Sequence, residues 1–273
     1  MTQPEEYMKI AALQMVSVPE VERNLAVARR LIEQAVGAGA RLVLLPEYFC
    51  AMGASDRDKL GVAESPGSGP IQDMLSDAAR RHSVWLIGGT LPLRGNDPQR
   101  VLNASCVFAP DGALAARYDK IHLFKYDNGR ESYDEGRAIQ AGSTPVVFEA
   151  DRLRVGLSVC YDLRFPEHYR ALMRPPCDLI AVPAAFTYTT GRAHWEVLLR
   201  ARAIENQCYV IAAAQGGEHE NGRRTYGHSL VIDPWGEVMT RREEGEGVVL
   251  AEITLAHIAS VRSQLPALEH RRI

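Results

Sequence analysis

Cys160 stands where an apolar run stops. Residues 155–159 read V-G-L-S-V, a buried strand by composition, and the chain continues C-Y-D-L-R-F-P-E, with Pro166 placed for the first turn of a helix. A cysteine at the carboxyl end of a strand lies where open α/β sheets bind ligands, and a helix N-terminus beside it favours a thiolate. An inert core thiol would fit the same position. Glu47 closes a second apolar run, R-L-V-L-L-P-E-Y, so its carboxylate points into a strand-end crevice; capping or ion pairing would use it equally well. Lys120 lies in Y-D-K-I-H-L-F, where alternation suggests extended chain. Lysines on such segments usually stay in water, yet Ile121, Leu123 and Phe124 imply burial, and a buried ammonium needs a carboxylate partner. A thiol, an acid and an ammonium brought together could attack a carbonyl, move a proton and hold the negative charge that develops.

The elements that must position these residues follow from apolar periodicity. In the first half a strand at 9–15 precedes a helix whose buried face is Leu25, Ala28, Ile32, Ala35 and Val36, ending near Gly37 and Gly39. A strand at 41–45 runs into Pro46-Glu47-Tyr48. Pro70 opens an amphipathic helix through Ile71, Met74, Leu75, Ala78 and Ala79; a strand at 84–87 follows. Segments 104–108 and 113–117 flank Pro110-Asp111-Gly112, a hairpin signal. Residues 118–142 have no clear period and dense charge, which predicts a long functional loop or lid. The second half repeats the order: strand 155–159, helix 166–173, strand 179–182 into Pro183, helix 193–206 burying Trp195, Leu198 and Leu199, strand 209–214, and a hairpin at 229–232 and 237–240 around Asp233-Pro234-Trp235-Gly236. The chain is therefore α/β with an internal pseudo-repeat. Each half alone would leave a sheet face uncovered, so sheet on sheet with helices outside is the economical packing. In this alignment Pro46-Glu47 corresponds to Pro183-Ala184, so the layout itself does not demand an acid at 47. A strand at 248–253, a short helix near His257 and a mixed apolar and basic tail at 265–273 finish the chain.

Composition excludes several function classes. The 273 residues suit one large domain with a sizeable core, and the net charge of −3 gives no strong attraction to nucleic acid or to an anionic membrane. No apolar run approaches spanning length, and the opening M-T-Q-P-E-E-Y does not read as a signal peptide. The five cysteines form no C-x-x-C pair, which argues against a zinc site or a disulfide framework and for a reduced, cytoplasmic setting. No glycine-rich phosphate loop or metal cluster competes, so no cofactor is expected.

P-E-Y at 46–48, Y-D-K-I-H-L-F at 118–124 and C-Y-D-L-R-F-P-E at 160–167 together resemble the nitrilase, or carbon–nitrogen hydrolase, superfamily, over a span from about Lys9 to the C-terminal end. Stretches 193–215 and 226–236 resemble its branch of deaminated-glutathione amidases and omega-amidases, and are more similar to the former. The resemblance implies a single domain over 1–273, built as a four-layer α-β-β-α sandwich with two mixed sheets. It also implies a homodimer or larger assembly with the tail, about 263–273, at the interface. By it Cys160 is the nucleophile, Glu47 the general base and Lys120 the oxyanion stabiliser, with the Tyr161 backbone N–H beside it. Gly129-Arg130-Glu131-Ser132 matches the family's second-glutamate loop, which makes Glu131 the candidate to orient Lys120 or water. The implied reaction is hydrolysis of a small linear carboxamide to carboxylate and ammonia through a thioester, with deaminated glutathione first among substrates. Alternatives are α-ketoglutaramate or α-ketosuccinamate, N-carbamoyl amines and nitriles; a catalytically silent binding or interaction domain is the reading from a different class.

Other residues take supporting expectations. Tyr48, Ala185, Phe186 and Thr187 should line the crevice. Lys125, Arg130, Arg164 and Arg192 are candidate anchors for an acidic substrate, although Asp162 and Arg164 fit a structural ion pair beneath the cysteine better than a substrate clamp. His122, His168, His194 and His228 read as structural hydrogen-bonding groups, and Cys50, Cys106, Cys177 and Cys208 as core thiols.

Overall fold

A computed structural model describes residues 7–55, 57–130 and 132–272. The first half runs β1 (Tyr7–Gln14), α1 (Val21–Gly37), β2 (Leu42–Leu44), the one-turn α2 (Asp58–Gly61), α3 (Pro70–His82), β3 (Trp85–Ile87), β4 (Leu91–Arg94), β5 (Val101–Phe108), β6 (Leu114–Asp119), β7 (Lys125–Asp127), β8 (Ser132–Asp134) and β9 (Ile139–Gln140). The second runs β10 (Val147–Ala150), β11 (Leu153–Leu157), a 3₁₀ turn (Cys160–Arg164), α4 (Pro166–Ala171), β12 (Leu179–Ala184), α5 (Tyr188–Asn206), β13 (Tyr209–Ala214), β14 (Gly216–Glu218), β15 (Arg224–Tyr226), β16 (Ser229–Ile232), β17 (Val238–Arg242), β18 (Gly247–Thr254) and α6 (Leu255–Gln264).

Two mixed sheets carry the same pattern. The first is ordered β18-β1-β2-β3-β5-β4, with β6 and β9 also on β5; the second is β10-β11-β12-β13-β16-β17. In each, parallel neighbours (β1-β2-β3 and β11-β12-β13) are flanked by antiparallel ones. The registers agree: Ile10, Leu42 and Trp85 lie in line, as do Val155, Leu179 and Tyr209. Counting from these rows sets Pro46 against Pro183 and Glu47 against Ala184, the correspondence expected from sequence.

Strand alternation separates the layers. Ile10, Ala12, Leu42 and Leu44 share one core with Val155, Leu157, Ile180 and Val182 of the other sheet. Their neighbours Ala11, Leu13, Val43 and Leu45 pack instead with Leu25, Ala28, Leu31 and Ile32 of α1 and Met74 and Leu75 of α3. Leu163, Tyr169, Trp195, Leu199 and Ala203 belong to the layer on the second sheet. Both sheets are covered on both faces, which is why their central strands read as unbroken apolar runs. The result is the expected α-β-β-α sandwich.

Helix ends are fixed locally. α3 begins at Pro70, and the Glu64 carboxylate accepts from the Ile71 and Gln72 N–H groups, favourable at the positive end of the helix. α5 begins at Tyr188, earlier than the expected 193, because Thr187 caps it while its apolar period starts only at Trp195. The stretch 118–142 is not an open loop. Lys125–Asp134, Tyr126–Tyr133 and Asp127–Ser132 pair as a hairpin, and Phe124 packs on the rings of Tyr126 and Tyr133. No helix among the described residues is long and apolar enough to cross a membrane.

Candidate active site

Glu47 follows β2 at a tightly held corner. Gly89, at φ +51°, passes so close that a Cβ there would sit 2.0 Å from the Pro46 carbonyl oxygen; only glycine fits. Tyr48, at φ +55°, turns the chain, and its N–H donates to Thr90 Oγ1 at 2.9 Å. The buried Glu47 carboxylate is fully engaged. Oε1 accepts from Asn103 Nδ2 at 2.9 Å and Lys120 Nζ at 2.9 Å, and Oε2 accepts from the Ala185 N–H at 2.9 Å. It also faces the Cys160 thiol.

Lys120 directly follows β6. Its backbone is clamped by Asn103 O at 3.0 Å and by the Gly142 N–H at 2.9 Å, an approach that leaves no room for a side chain at 142. Its Nζ, wholly buried, reaches Glu47 and both oxygens of Glu135, at 3.0 and 2.8 Å. Glu135 is oriented in turn by the Tyr48 hydroxyl at 2.6 Å and the Phe124 N–H at 2.7 Å. Burial alone would depress the ammonium, but Glu135 and then Glu47 override it and raise the Lys120 pKa. Burial likewise opposes ionisation of Glu135, and Lys120 overrides it, holding that carboxyl below the usual range. Lys120 therefore stays charged.

Cys160 caps β11 in a left-handed conformation, φ +49°, the kind of strained corner that collects at functional sites. Asp162 holds the corner. Its carboxylate accepts from the Val159 N–H at 2.8 Å, the Tyr118 hydroxyl at 2.7 Å and the His122 N–H at 3.0 Å, and meets His122 Nδ1 at 2.7 Å. Arg202 ties down the far end through the Leu163 carbonyl. A helix N-terminus was expected to stabilise a thiolate here. The helix starts at Pro166 as expected, but a 3₁₀ turn separates it from Cys160, and burial followed by the Glu47 charge pushes the Cys160 pKa well up. The resting thiol is therefore protonated.

These groups open onto a narrow cleft, in whose wall stand Ala185, Phe186, Thr187, Arg164 and Arg223. Tyr48, expected there, instead stands behind Glu135, because its left-handed backbone turns the ring away. The expected Asp162–Arg164 pair gives way as well. Asp162 is consumed by the corner, and Arg164 reaches His194 Nδ1 at 3.1 Å and lies over the Tyr161 and Phe186 rings. Glu131 lies outside the described residues; among those described, the second carboxylate that meets Lys120 beside Glu47 is Glu135, four positions on. No sequence signal singled it out, since 118–142 holds several acids and no periodicity to rank them. Arg223 was missed for the same reason. Cys50, Cys106 and Cys177 are pushed by burial to about 12, and Cys208 is raised as well.

Four buried groups here tie stability to pH. Burial depresses His168 and His219 below 6.5; Glu135 sits below 4.5 and Asp162 below 3.8, both against the pull of burial, through Lys120 and His122 respectively. The signs agree. In every case the unfolded chain binds protons more readily, so the contributions are complete above the unfolded values and are lost as pH falls towards the folded ones. The urea midpoint should be level near pH ~7.5, drop between about pH 6.5 and 5, and drop again below about pH 4.5. Equal midpoints at about pH 7.5 and 5.5 would contradict the buried neutral histidines.

The model of the carbon-nitrogen hydrolase family matches residues 9–263. The chain belongs to this family. As a carbon–nitrogen hydrolase it has relatives of full length. A deaminated glutathione amidase of Synechocystis sp. is 43% identical over 265 residues, covering 96% of this chain and 97% of that protein. Among solved structures, Saccharomyces cerevisiae Nit3, a member of branch 10 of the nitrilase superfamily, matches at a TM-score of 0.88 and 29% identity over 100% of this chain and 99% of that one. The C. elegans NitFhit protein matches at 0.89 and 36% over 99% of this chain, which spans 66% of that longer chain. The hydrolase thus carries its buried thiol, acids and ammonium within a fold shared by both.

Proposed function

We propose that this hydrolase is a cysteine amidase acting on deaminated glutathione, the keto-acid form of the tripeptide. The observation that carries the chemistry is the buried Lys120 ammonium held by two carboxylates beside a thiol that faces one of them. The substrate rests on the identity to relatives named for it. Cys160 Sγ attacks the amide carbonyl carbon while Glu47 takes the thiol proton. Lys120 and the Tyr161 N–H, at the start of the 3₁₀ turn, hold the oxyanion. The C–N bond breaks as Glu47 returns the proton to the departing nitrogen. Water then attacks the thioester, with Glu47 again as base; the C–S bond breaks and the thiol regains its proton. Glu135 positions Lys120. Arg164 offers a cation to the keto-acid carboxylate. In deaminated glutathione the scissile nitrogen belongs to cysteinylglycine, so that dipeptide leaves rather than the ammonia expected from a primary carboxamide.

A side-by-side kcat/KM comparison of deaminated glutathione, α-ketoglutaramate and an N-carbamoyl amine tests this. Deaminated glutathione should lead by more than roughly tenfold, about 1.4 kcal/mol of transition-state discrimination. A lead of that size for α-ketoglutaramate would overturn the substrate and leave the amidase chemistry standing.

We also infer that the single domain pairs as a homodimer with the tail beyond α6 at the contact. Supporting this, α5 leaves Val197 and Ile204 exposed, Trp235 is 53% exposed, and Leu265 is 47% exposed. Truncation after Ser263 should lower the mass seen by light scattering; a full-length chain that is monomeric at micromolar concentration refutes the dimer.

A further inference from the structure

The cavity contains a guanidinium with no assigned task. Arg223 immediately precedes β15, in a hairpin pinned from several sides. Asn221 Oδ1 accepts from its N–H at 2.9 Å, Asn221 Nδ2 donates to Gly53 O at 2.6 Å, and His219 Nδ1 lies 2.8 Å from Ser17 O. The side chain turns into the cavity wall, whereas the adjacent Arg224 points out to pair with Glu244. Its Nη2 donates to Ala185 O at 2.9 Å, its Nη1 approaches Met52 Sδ at 4.0 Å, and its Nε is buried without an acceptor among the described residues. The charge lies over the Tyr133 ring at 5.2 Å. A carbonyl, a thioether and a ring are weak compensation for a half-buried cation, which an anion would satisfy far better.

Charge in the site favours the same conclusion. With the thiol protonated, Glu47 and Glu135 outweigh Lys120, so an anionic substrate would meet repulsion. Arg164 and Arg223 reverse the sign. They sit on separate elements, which suits a substrate with a carboxylate at each end. Arg164 rides the nucleophile's own turn, fitting the acyl end that stays attached through both half-reactions. Arg223, on a different hairpin, fits the end that departs.

We propose that Arg223 is a specificity residue that binds the terminal glycine carboxylate of the leaving dipeptide; this rests on deaminated glutathione being the substrate. The test compares deaminated glutathione with its glycinamide, identical except that this carboxylate is amidated, on wild type, Arg223→Met and Arg223→Lys. Wild type should prefer the acid by roughly ten- to a hundredfold in kcat/KM. Arg223→Met should raise KM on the acid, cost roughly tenfold or more beyond any loss on the glycinamide, and so erase the preference; Arg223→Lys should restore part of it. Arg223 also braces Ala185, whose N–H holds Glu47, and a merely bracing role would lower kcat on both substrates alike. That result, or no effect on either, overturns the inference. Wild type inactive on deaminated glutathione would instead remove the reading on which it rests.

Discussion

Cys160→Ala should leave no measurable amide hydrolysis, a loss of about 10⁴-fold or more in kcat. Among the described residues of the cavity wall, the thiol is the nucleophile that faces a carboxylate base, Glu47. The other four cysteines are buried with raised pKa values and cannot substitute. The variant should fold, since alanine meets the left-handed backbone at 160 with about the same cost of roughly 1–2 kcal/mol that cysteine already bears. A folded Cys160→Ala protein, checked by circular dichroism, that kept more than about one-hundredth of wild-type turnover would remove Cys160 from the chemistry.

Lys120→Met should damage both rate and stability. Loss of an oxyanion donor costs about 10²- to 10³-fold in kcat. The stability cost follows from Glu47 and Glu135, which would face each other in a buried site without their shared cation; breaking a buried pair in this way costs about 3–5 kcal/mol. One carboxyl can relieve the repulsion by binding a proton. The deficit in urea stability should therefore narrow between about pH 7.5 and about pH 5. Glu135→Gln is the informative contrast, because it leaves Lys120 paired with Glu47 and removes a negative charge rather than a positive one. A Lys120→Met protein as stable as wild type at neutral pH would show that the ammonium does not hold the acids together.

Glu47 and Cys160 stood out because each closes an apolar strand, and strand ends converge in such folds, whereas Lys120 stood out only through apolar neighbours that imply burial. The two-sheet layering was legible for a related reason: residues such as Ile10 and Ala11 are buried on opposite faces, which needs cover on both sides. What escaped lies on chain without periodicity. Glu135 follows a small hairpin, and its pairing with Lys120 depends on Tyr48 and on the Phe124 backbone, contacts that no local pattern encodes. Arg164 was weighed against Asp162 because the two are neighbours in sequence. The 3₁₀ turn, which stands ahead of the expected helix start at Pro166, sends Asp162 beneath the corner and Arg164 out over Phe186.

The pairing of β1 with β18 bears on how the protein is made. Tyr7 lies opposite Thr254, so the first sheet is closed on that side by chain that leaves the ribosome late. At about 5–20 residues per second, roughly 10–50 s separate the two strands during synthesis. Until then the edge of β1 away from β2 has no partner and invites mispairing. A nascent chain of this hydrolase should depend on a holding chaperone between the emergence of the two strands, and its slowest step should be the capture of β18 rather than the formation of either half.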